Sequence, residues 1–175
     1  MTAADLVAFA AFEEGRHAQA FPSFGSERTG APVVSYCRVS DKEVRTREPV
    51  LEPDLIIVQD PTLLAVLNVF SGLKPDGYAI INSGKTAEEL GYADVAARMP
   101  KGHVIGVPAA DIARKHTGRT VPNAVLLGAA AALTGLYQME SVNNAIMKRF
   151  PGKVGEMNVA AAKEAFDLVS NMKEA

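Results

Sequence analysis

The sequence predicts an α/β fold with a three-layer, doubly wound and mostly parallel sheet, a β-hairpin and a helical C-terminal part. Three observations predict it. Short β-branched runs in the first two thirds of the chain are typical of buried parallel strands, and helical segments separate them. The alternating run Val33–Val39 indicates a strand with two unlike faces, as in a hairpin. Beyond Pro108 the apolar residues recur at helical spacing.

The first element predicted is a helix that runs from Thr2 to Glu14. Thr2 followed three residues later by Asp5 is typical of a helix start, and Gly15 of a helix end. Opening on a helix is unusual in an α/β fold, where a first helix normally crosses over from a first strand. We therefore expect a first strand to be missing upstream of this helix.

A hairpin is expected next, after an irregular connection. Its first strand is Val33–Val39, Ser40-Asp41-Lys42 supplies the turn, and its second strand is the short segment Glu43–Thr46. The parallel sheet follows. Its predicted elements are the strand Asp54–Gln59, a helix from Pro61 to about Phe70, the strand Tyr78–Asn82, helices Thr86–Leu90 and Ala93–Met99, and the strand His103–Val107.

The C-terminal part is predicted to be four helices. They are Ala109–Lys115, Asn123–Thr134, Met139–Arg149 and a last helix with Met157, Ala161, Ala165, Leu168 and Met172 on one face. Gly128 and its alanine neighbours carry almost no side chain, so their helix is expected to lie close against the sheet or another subunit.

Composition limits the classes of function. The 175 residues are 48% hydrophobic, which predicts one domain over residues 1–175. Lys and Arg number 18 against 20 Asp and Glu, without long runs of one sign, so neither nucleic acid nor an anionic membrane is expected as a partner. One cysteine, Cys37, excludes an internal disulfide and an iron–sulfur site built by cysteines of this chain alone.

The expected location is the cytoplasm. The most apolar stretch, residues 121–137, contains Pro122 and Asn123 and falls short of the roughly 20 residues that a bilayer span needs. The N-terminus lacks the basic segment and cleavage site of a secretory signal. Neither a membrane span nor export is expected.

The connection Gln19–Val33 is the strongest candidate for a functional loop. Gly25 and Gly30 allow backbone angles that other residues avoid, and prolines stiffen both flanks. The Arg28 guanidinium could bind a carboxylate or phosphate in a bidentate fork, oriented by Glu27. The alternative is a solvated Glu27–Arg28 ion pair worth about 0–1 kcal/mol. We favour an interface or ligand role.

The segment Ser83-Gly84-Lys85-Thr86 is similar to the end of a nucleotide phosphate loop. A full loop needs a glycine five residues before Gly84, where the chain has Ala79 within a strand-like run. A strand-to-helix turn capped by Ser83 or Thr86 is therefore favoured over a phosphate loop.

No catalytic or metal-binding residue is predicted in this chain. His17, His103 and His116 share no metal-ligand spacing, and surface or strand-end positions are expected for them. Cys37 alternates within a strand, which favours a small buried hydrophobe over a nucleophile. Asp60 is better explained as a helix cap than as a catalytic acid.

Several separated motifs match one family in the right order. They are Phe21-Pro-Ser-Phe-Gly-Ser-Glu-Arg-Thr-Gly-Ala-Pro-Val33, Arg38-Val-Ser-Asp41, Glu52-Pro-Asp54, Val58-Gln-Asp-Pro-Thr-Leu63 and Pro122-Asn123. Together they resemble the gamma subunit of 2-oxoacid:ferredoxin oxidoreductases, which in fused enzymes is one domain of pyruvate:ferredoxin oxidoreductase. The resemblance runs from Thr2 to the last helix. Members begin with a strand and a Gly-rich turn, and this chain departs from that pattern.

The resemblance implies a complex that oxidatively decarboxylates a 2-oxoacid to an acyl-CoA and reduces ferredoxin. Thiamine diphosphate, Mg and iron–sulfur clusters would be bound by alpha-, beta- and delta-type partner subunits, with coenzyme A as cosubstrate. This chain, inactive in isolation, would support assembly and line the approach of coenzyme A. The implied substrate-proximal or interface residues are Phe24, Gly25, Ser26, Glu27, Arg28 and Gly30.

The resemblance favours one substrate class and leaves alternatives. The loop is closer to the pyruvate or branched-chain oxoacid types than to the 2-oxoglutarate type. The small subunit of indolepyruvate oxidoreductase is one alternative. A free-standing small-ligand or nucleotide-binding α/β module is another, and the isolated chain could also form a homodimer.

Overall fold

The computed structural model describes residues 3–23 and 32–174. Helices and strands follow one another in the order α1 (Ala3–Glu13), β1 (His17–Ser23), β2 (Val34–Ser40), β3 (Leu55–Val58), a 3₁₀ helix (Pro61–Ala65), β4 (Tyr78–Asn82), α2 (Ala87–Leu90), α3 (Ala93–Arg98), β5 (Val104–Val107), α4 (Ala109–Thr117), α5 (Asn123–Thr134), α6 (Met139–Arg149) and α7 (Lys153–Glu174).

A parallel sheet with the order β3-β4-β5 lies at the centre of three layers. Its central strand β4 is buried on both faces. Because successive side chains point to opposite sides of the sheet, the buried residues of β4 belong to two different clusters. Ile80 belongs to the cluster that contains residues of α4, α5 and α7. Ala79 and Ile81 belong to the cluster on the other side, packed against residues of α2 and α3. The predicted α/β fold class, with its hairpin and helical C-terminal part, is confirmed.

The hairpin consists of β1 and β2, which pair antiparallel from His17 opposite Ser40 to Ser23 opposite Val34. The prediction of the β2 strand is right to within one residue, but its predicted partner, Glu43–Thr46, is not a strand. The partner lies instead before β2, in part of the segment assigned to a loop. Pro22 is tolerated there because each strand of a two-stranded sheet is an edge.

The segment after β3 departs from the helix predicted from Pro61 to Phe70. Asp60 and Pro61 do start a helical turn, but it is a 3₁₀ helix that ends at Ala65. Val66 leaves the helical region at φ −120° and ψ −15°. Val66, Asn68 and Val69 are weak helix formers, and Val66 is 71% exposed, so little burial opposes their preference.

Helix α5 is the most buried element described, and α7 crosses it closely. All of its residues from Ala124 to Leu133 are buried. A Cβ at Gly128 would lie 2.1 Å from the carbonyl oxygen of Ala162 in α7, so only glycine permits this approach. Gly128 and its alanine neighbours were predicted to allow close packing against the sheet or another subunit. In the structure they also allow close packing against α7 of the same chain.

Helix α1 joins the hairpin to this helical body. Leu6, Val7 and Ala10 pack in one cluster with residues of α5 and α6, and Ala18, Cys37 and Val39 of the hairpin border the same cluster. Within residues 3–23 and 32–174, no helix is long and apolar enough to cross a membrane.

Candidate functional site

The six loop residues predicted from the sequence, Phe24, Gly25, Ser26, Glu27, Arg28 and Gly30, lie outside the described residues. The two strands that lead into this loop are described. They are paired as far as Ser23 and Val34, so the candidate loop joins the two strands at the closed end of the hairpin. The geometry of the strands therefore governs where the loop begins and ends.

The two faces of the hairpin carry different chemistry. Ala18 opposite Val39, and Ala20 opposite Cys37, contribute the face that borders the cluster around α1. Gln19 is opposite Arg38 and Phe21 is opposite Tyr36, so these four residues share the outer face. The Phe21 and Tyr36 rings are 5.5 Å apart between centroids.

The outer face binds the connection between β2 and β3. The Arg38 guanidinium donates from Nη1 to the carbonyl oxygen of Glu48 and from Nη2 to that of Pro49, the latter at 3.1 Å. The Gln19 side chain lies against the same connection. With its amide oriented to satisfy both ends, it donates to the carbonyl oxygens of Val44 and Thr46 at 3.1 and 3.2 Å and accepts from Arg47 Nε at 2.7 Å.

The inner face disfavours nucleophilic chemistry at Cys37. Burial, and then the negative charge of Asp5, raises the pKa of the Cys37 thiol from 9.0 to about 12. Almost none of it is thiolate near neutral pH, and the thiolate is the nucleophile. Burial likewise raises the pKa of the neighbouring Tyr137 above its usual range. Cys37 is a packing residue, as predicted.

At the carboxyl end of β3, Asp60 caps the 3₁₀ helix. Its Oδ1 accepts from the Thr62 backbone nitrogen at 3.0 Å and from Thr62 Oγ1 at 2.6 Å. These bonds stabilise the carboxylate and lower the pKa of Asp60. A lowered pKa suits a cap and not a general acid, so the capping interpretation is confirmed.

Sequence reasoning missed the role of Asn82, the last residue of β4. Its Nδ2 donates to the carbonyl oxygen of Gln59 at 2.9 Å, and its Oδ1 accepts from the Ala110 backbone nitrogen at 3.0 Å. The side chain thus joins the carboxyl end of β3 to the first turn of α4. A polar residue that ends an otherwise apolar strand was the available signal.

The turn Ser83–Thr86 has the capped geometry that the sequence favours. Thr86 Oγ1 accepts from the Glu89 backbone nitrogen, while Glu89 accepts from the Thr86 backbone nitrogen, which is a capping box. Ser83 Oγ accepts from the Lys85 backbone nitrogen at 3.0 Å. An open groove of about 430 Å³ lies beside this turn, bordered also by Leu168 and Met172 of α7.

The three histidines occupy the strand-end and surface positions predicted. His17 begins β1, and His103 immediately precedes β5 and stacks on Tyr78 at 4.1 Å between ring centroids. His116, in the last turn of α4, lies 2.6 Å from Glu164 Oε2. In the part of the chain that the structure describes, no group of three His, Cys, Asp or Glu side chains is arranged to hold a metal ion.

Comparison with known proteins identifies the family. Residues 1–168 match the pyruvate ferredoxin/flavodoxin oxidoreductase family. The chain belongs to this family. It is 44% identical over 167 residues to the pyruvate/ketoisovalerate oxidoreductases common subunit gamma of Pyrococcus abyssi, covering 95% of this chain and 89% of that relative.

Two further comparisons agree. The pyruvate synthase subunit PorC of Methanothermobacter thermautotrophicus is 43% identical over 173 residues, covering 99% of this chain and 91% of that relative. The crystal structure of the pyruvate oxidoreductase subunit PORC from Thermotoga maritima is 33% identical, with a TM-score of 0.76, and covers 94% of this chain and 86% of that one. The resemblance to gamma-type chains of this family is confirmed.

Proposed function

We propose that this chain is the gamma subunit of a 2-oxoacid:ferredoxin oxidoreductase that acts on pyruvate or a branched-chain 2-oxoacid. The observation that carries the proposal is the 44% identity over nearly the whole chain to a gamma subunit named for pyruvate and ketoisovalerate oxidoreductases. The complex would convert the 2-oxoacid and coenzyme A to acyl-CoA and carbon dioxide and pass the electrons to ferredoxin.

The chain's own contribution is structural and not catalytic. Among the described residues, the Asp60 and Thr86 side chains are occupied by helix caps, and burial raises the pKa of the Cys37 thiol to about 12. On this proposal, thiamine diphosphate, Mg and the iron–sulfur clusters would be bound by alpha-, beta- and delta-type partner subunits. Thiamine diphosphate bound there would supply the electron sink for decarboxylation.

The loop between β1 and β2 would complete a site together with a partner subunit. The hairpin is anchored on α1 through its inner face, and the loop follows its outermost pair, Ser23 and Val34. A guanidinium on such a loop can bind a phosphate or a carboxylate. We assign Arg28 to the coenzyme A approach or to the adjoining subunit contact.

Co-purification tests the proposed complex. When the tagged chain is isolated from its native host, partner subunits with thiamine diphosphate and iron–sulfur clusters should accompany it. The assembled complex should reduce ferredoxin with pyruvate or 2-oxoisovalerate, and preference for indolepyruvate would move the chain to the alternative substrate class. Isolation of the chain without partners would contradict the proposal.

Substitution of Arg28 tests the role of the loop. In the assembled complex, Arg28→Ala should raise the KM for coenzyme A by roughly 10- to 150-fold, because one charge-assisted hydrogen bond is worth about 1.5–3 kcal/mol. The turnover number should change little. Arg98→Ala is the matched control, since Arg98 donates to a backbone carbonyl within its own helix α3. An unchanged KM would remove Arg28 from the coenzyme A approach, and impaired assembly would place it at a subunit contact.

The nucleotide-binding alternative has a direct test. Ser83 and Thr86 already use their hydroxyl oxygens for turn and cap contacts. Titration of the isolated chain with ATP, NAD and coenzyme A should therefore give no tight binding of ATP. Tight ATP binding would favour a free-standing module over the subunit.

A further inference from the structure

The outer face of the hairpin holds a chain segment that is also fixed to the parallel sheet. The segment is residues 44–54, which connect β2 to β3, and we term it the strap. Its first half contacts Gln19 and Arg38, a directly opposed cross-strand pair. These two side chains reach four strap carbonyl oxygens in total, those of Val44, Thr46, Glu48 and Pro49.

The second half of the strap is tied to the turn that precedes β4. A Cβ at Gly72 would lie 1.9 Å from the carbonyl oxygen of Leu51, so the two backbones touch where only glycine fits. The Lys74 backbone nitrogen donates to the carbonyl oxygen of Pro53 at 3.2 Å, and Lys74 Nζ lies 2.6 Å from Asp54 Oδ1. The strap is therefore held to the hairpin at one end and to the sheet at the other.

We infer that Gln19 and Arg38 are positioning residues, which fix the hairpin on the strap and thereby set the direction of its strand ends, Ser23 and Val34, between which the candidate loop lies in sequence. The functional half of this inference rests on the proposed role of that loop at the coenzyme A approach. Neither residue touches the reacting atoms in this account. They act by setting the direction of the two strands from which the loop extends.

The chemistry of the pair suits this task. An arginine fork presents several donors in one rigid plane, so two bonds to successive carbonyls fix an angle as well as a distance. The Gln19 amide donates and accepts, and it matches a segment that offers two carbonyls and the Arg47 guanidinium. The Arg38 bonds are exposed to solvent, where water competes, so we expect them to affect the orientation of the hairpin more than its global stability.

The inner face of the hairpin makes a different kind of contact. That face is apolar, with Ala18, Cys37 and Val39 against the α1 cluster, and apolar contact is not directional. Packing on α1 therefore fixes the distance of the hairpin from the helical body more strictly than its tilt. The bonds from Gln19 and Arg38 to the strap are directional contacts on the outer face.

Pulsed electron spin resonance on the full chain tests the structural half of the inference. Spin labels are attached at Val34→Cys, an exposed residue beside the loop, and at exposed Lys101→Cys on the sheet side, in a Cys37→Ala background. The parent should give one narrow distance distribution. Arg38→Ala and Gln19→Ala should broaden or shift it, Arg38→Lys should do so less, and Arg98→Ala should leave it unchanged. A distribution in Arg38→Ala that matches the parent would overturn the inference.

Kinetics of the assembled complex tests the functional half. Arg38→Ala should raise the KM for coenzyme A at least threefold with the turnover number within twofold, and Arg38→Lys should restore part of the loss. If Arg28→Ala raises this KM, and Arg38→Ala broadens the spin-label distances without raising the KM, Arg38 is not a positioning residue for coenzyme A binding. If neither variant affects the KM, the proposed role of the loop fails, while a broadened distribution would still establish the pair as the tie that orients the hairpin.

Discussion

Two regions of this chain are held together by different interactions. Helices α5 and α7 meet by close packing, whereas the hairpin meets the strap through hydrogen bonds. At the crossing, Gly128 lets two helix backbones meet, and the surrounding residues of α5 are buried. At the hairpin, Gln19 and Arg38 hold backbone carbonyls with hydrogen bonds at the surface. Burial is non-directional and strong in sum, whereas exposed hydrogen bonds are directional and weak.

This difference assigns separate tasks to the two regions. Loss of packing at the crossing removes stability, because a close-packed interior cannot relax around a wrong volume. Loss of a surface hydrogen bond exchanges a protein partner for water and changes orientation with little change in stability. The effects of substitutions in the buried region should therefore be measured by unfolding experiments. Those of substitutions at the hairpin should be measured by spin-label distances and by the kinetics of the complex.

The largest effect on stability is expected at the crossing. Gly128→Val should lower the free energy of unfolding by about 3 kcal/mol, because its Cβ would collide with the Ala162 carbonyl and force α5 and α7 apart. Urea unfolding followed by circular dichroism measures it. The control is Ala160→Val, on an exposed position of α7, which should cost less than about 0.7 kcal/mol. Equal losses in the two variants would show that the crossing is not tight.

An intermediate effect is expected at the carboxyl edge of the sheet. Asn82→Ala should lower the free energy of unfolding by about 1.5 kcal/mol, because the Ala110 backbone nitrogen and the Gln59 carbonyl lose their partner. Gln59→Ala is the control, since Asn82 uses only the Gln59 backbone, and it should stay within about 0.5 kcal/mol. A loss from Asn82→Ala as small as that of the control would make the bridge dispensable.

The buried region is also where sequence reasoning succeeded. The predicted bounds of β4, α5 and α6 agree with the structure, because long apolar runs with one clear period dominate local preference. The hairpin is where it failed in part. Ala18, Ala20 and Pro22 carry little β-strand preference, so most of β1, residues 19–23, was assigned to a loop and β2 was given the wrong partner.

The candidate site was predictable only where its signals are local. The caps at Asp60 and Thr86 could be predicted, because each cap involves residues two or three positions apart. Arg38 was recognised within a matching motif, but its bonds to Glu48 and Pro49 depend on how the chain returns past the hairpin. Asn82 likewise acts across more than 20 residues of sequence. The role of Arg28 stays a prediction.

The smallest effect is expected at the ion pairs on α7. Glu164 Oε2 lies 2.8 Å from Lys115 Nζ and 2.6 Å from His116 Nε2, and these bonds lower the pKa of Glu164. Because the folded-state pKa is the lower one, the unfolded chain takes up the proton first as the pH falls. The stabilisation is therefore complete above the ordinary value of 4.5 and is lost as the pH falls through the lowered value.

Glu164→Gln should accordingly cost about 0.5 kcal/mol at neutral pH, and the gap from the parent should close under acid conditions. Urea titrations at a series of pH values measure the gap. Asp167→Asn is the control, since the Asp167 carboxylate is more exposed than that of Glu164, 56% against 34%, and its gap should be smaller still. Of these two carboxylates, only Glu164 joins α7 to another helix, α4. If the difference in stability between Glu164→Gln and the parent persisted in acid, the packing of Glu164, and not its charge, would hold the two helices together.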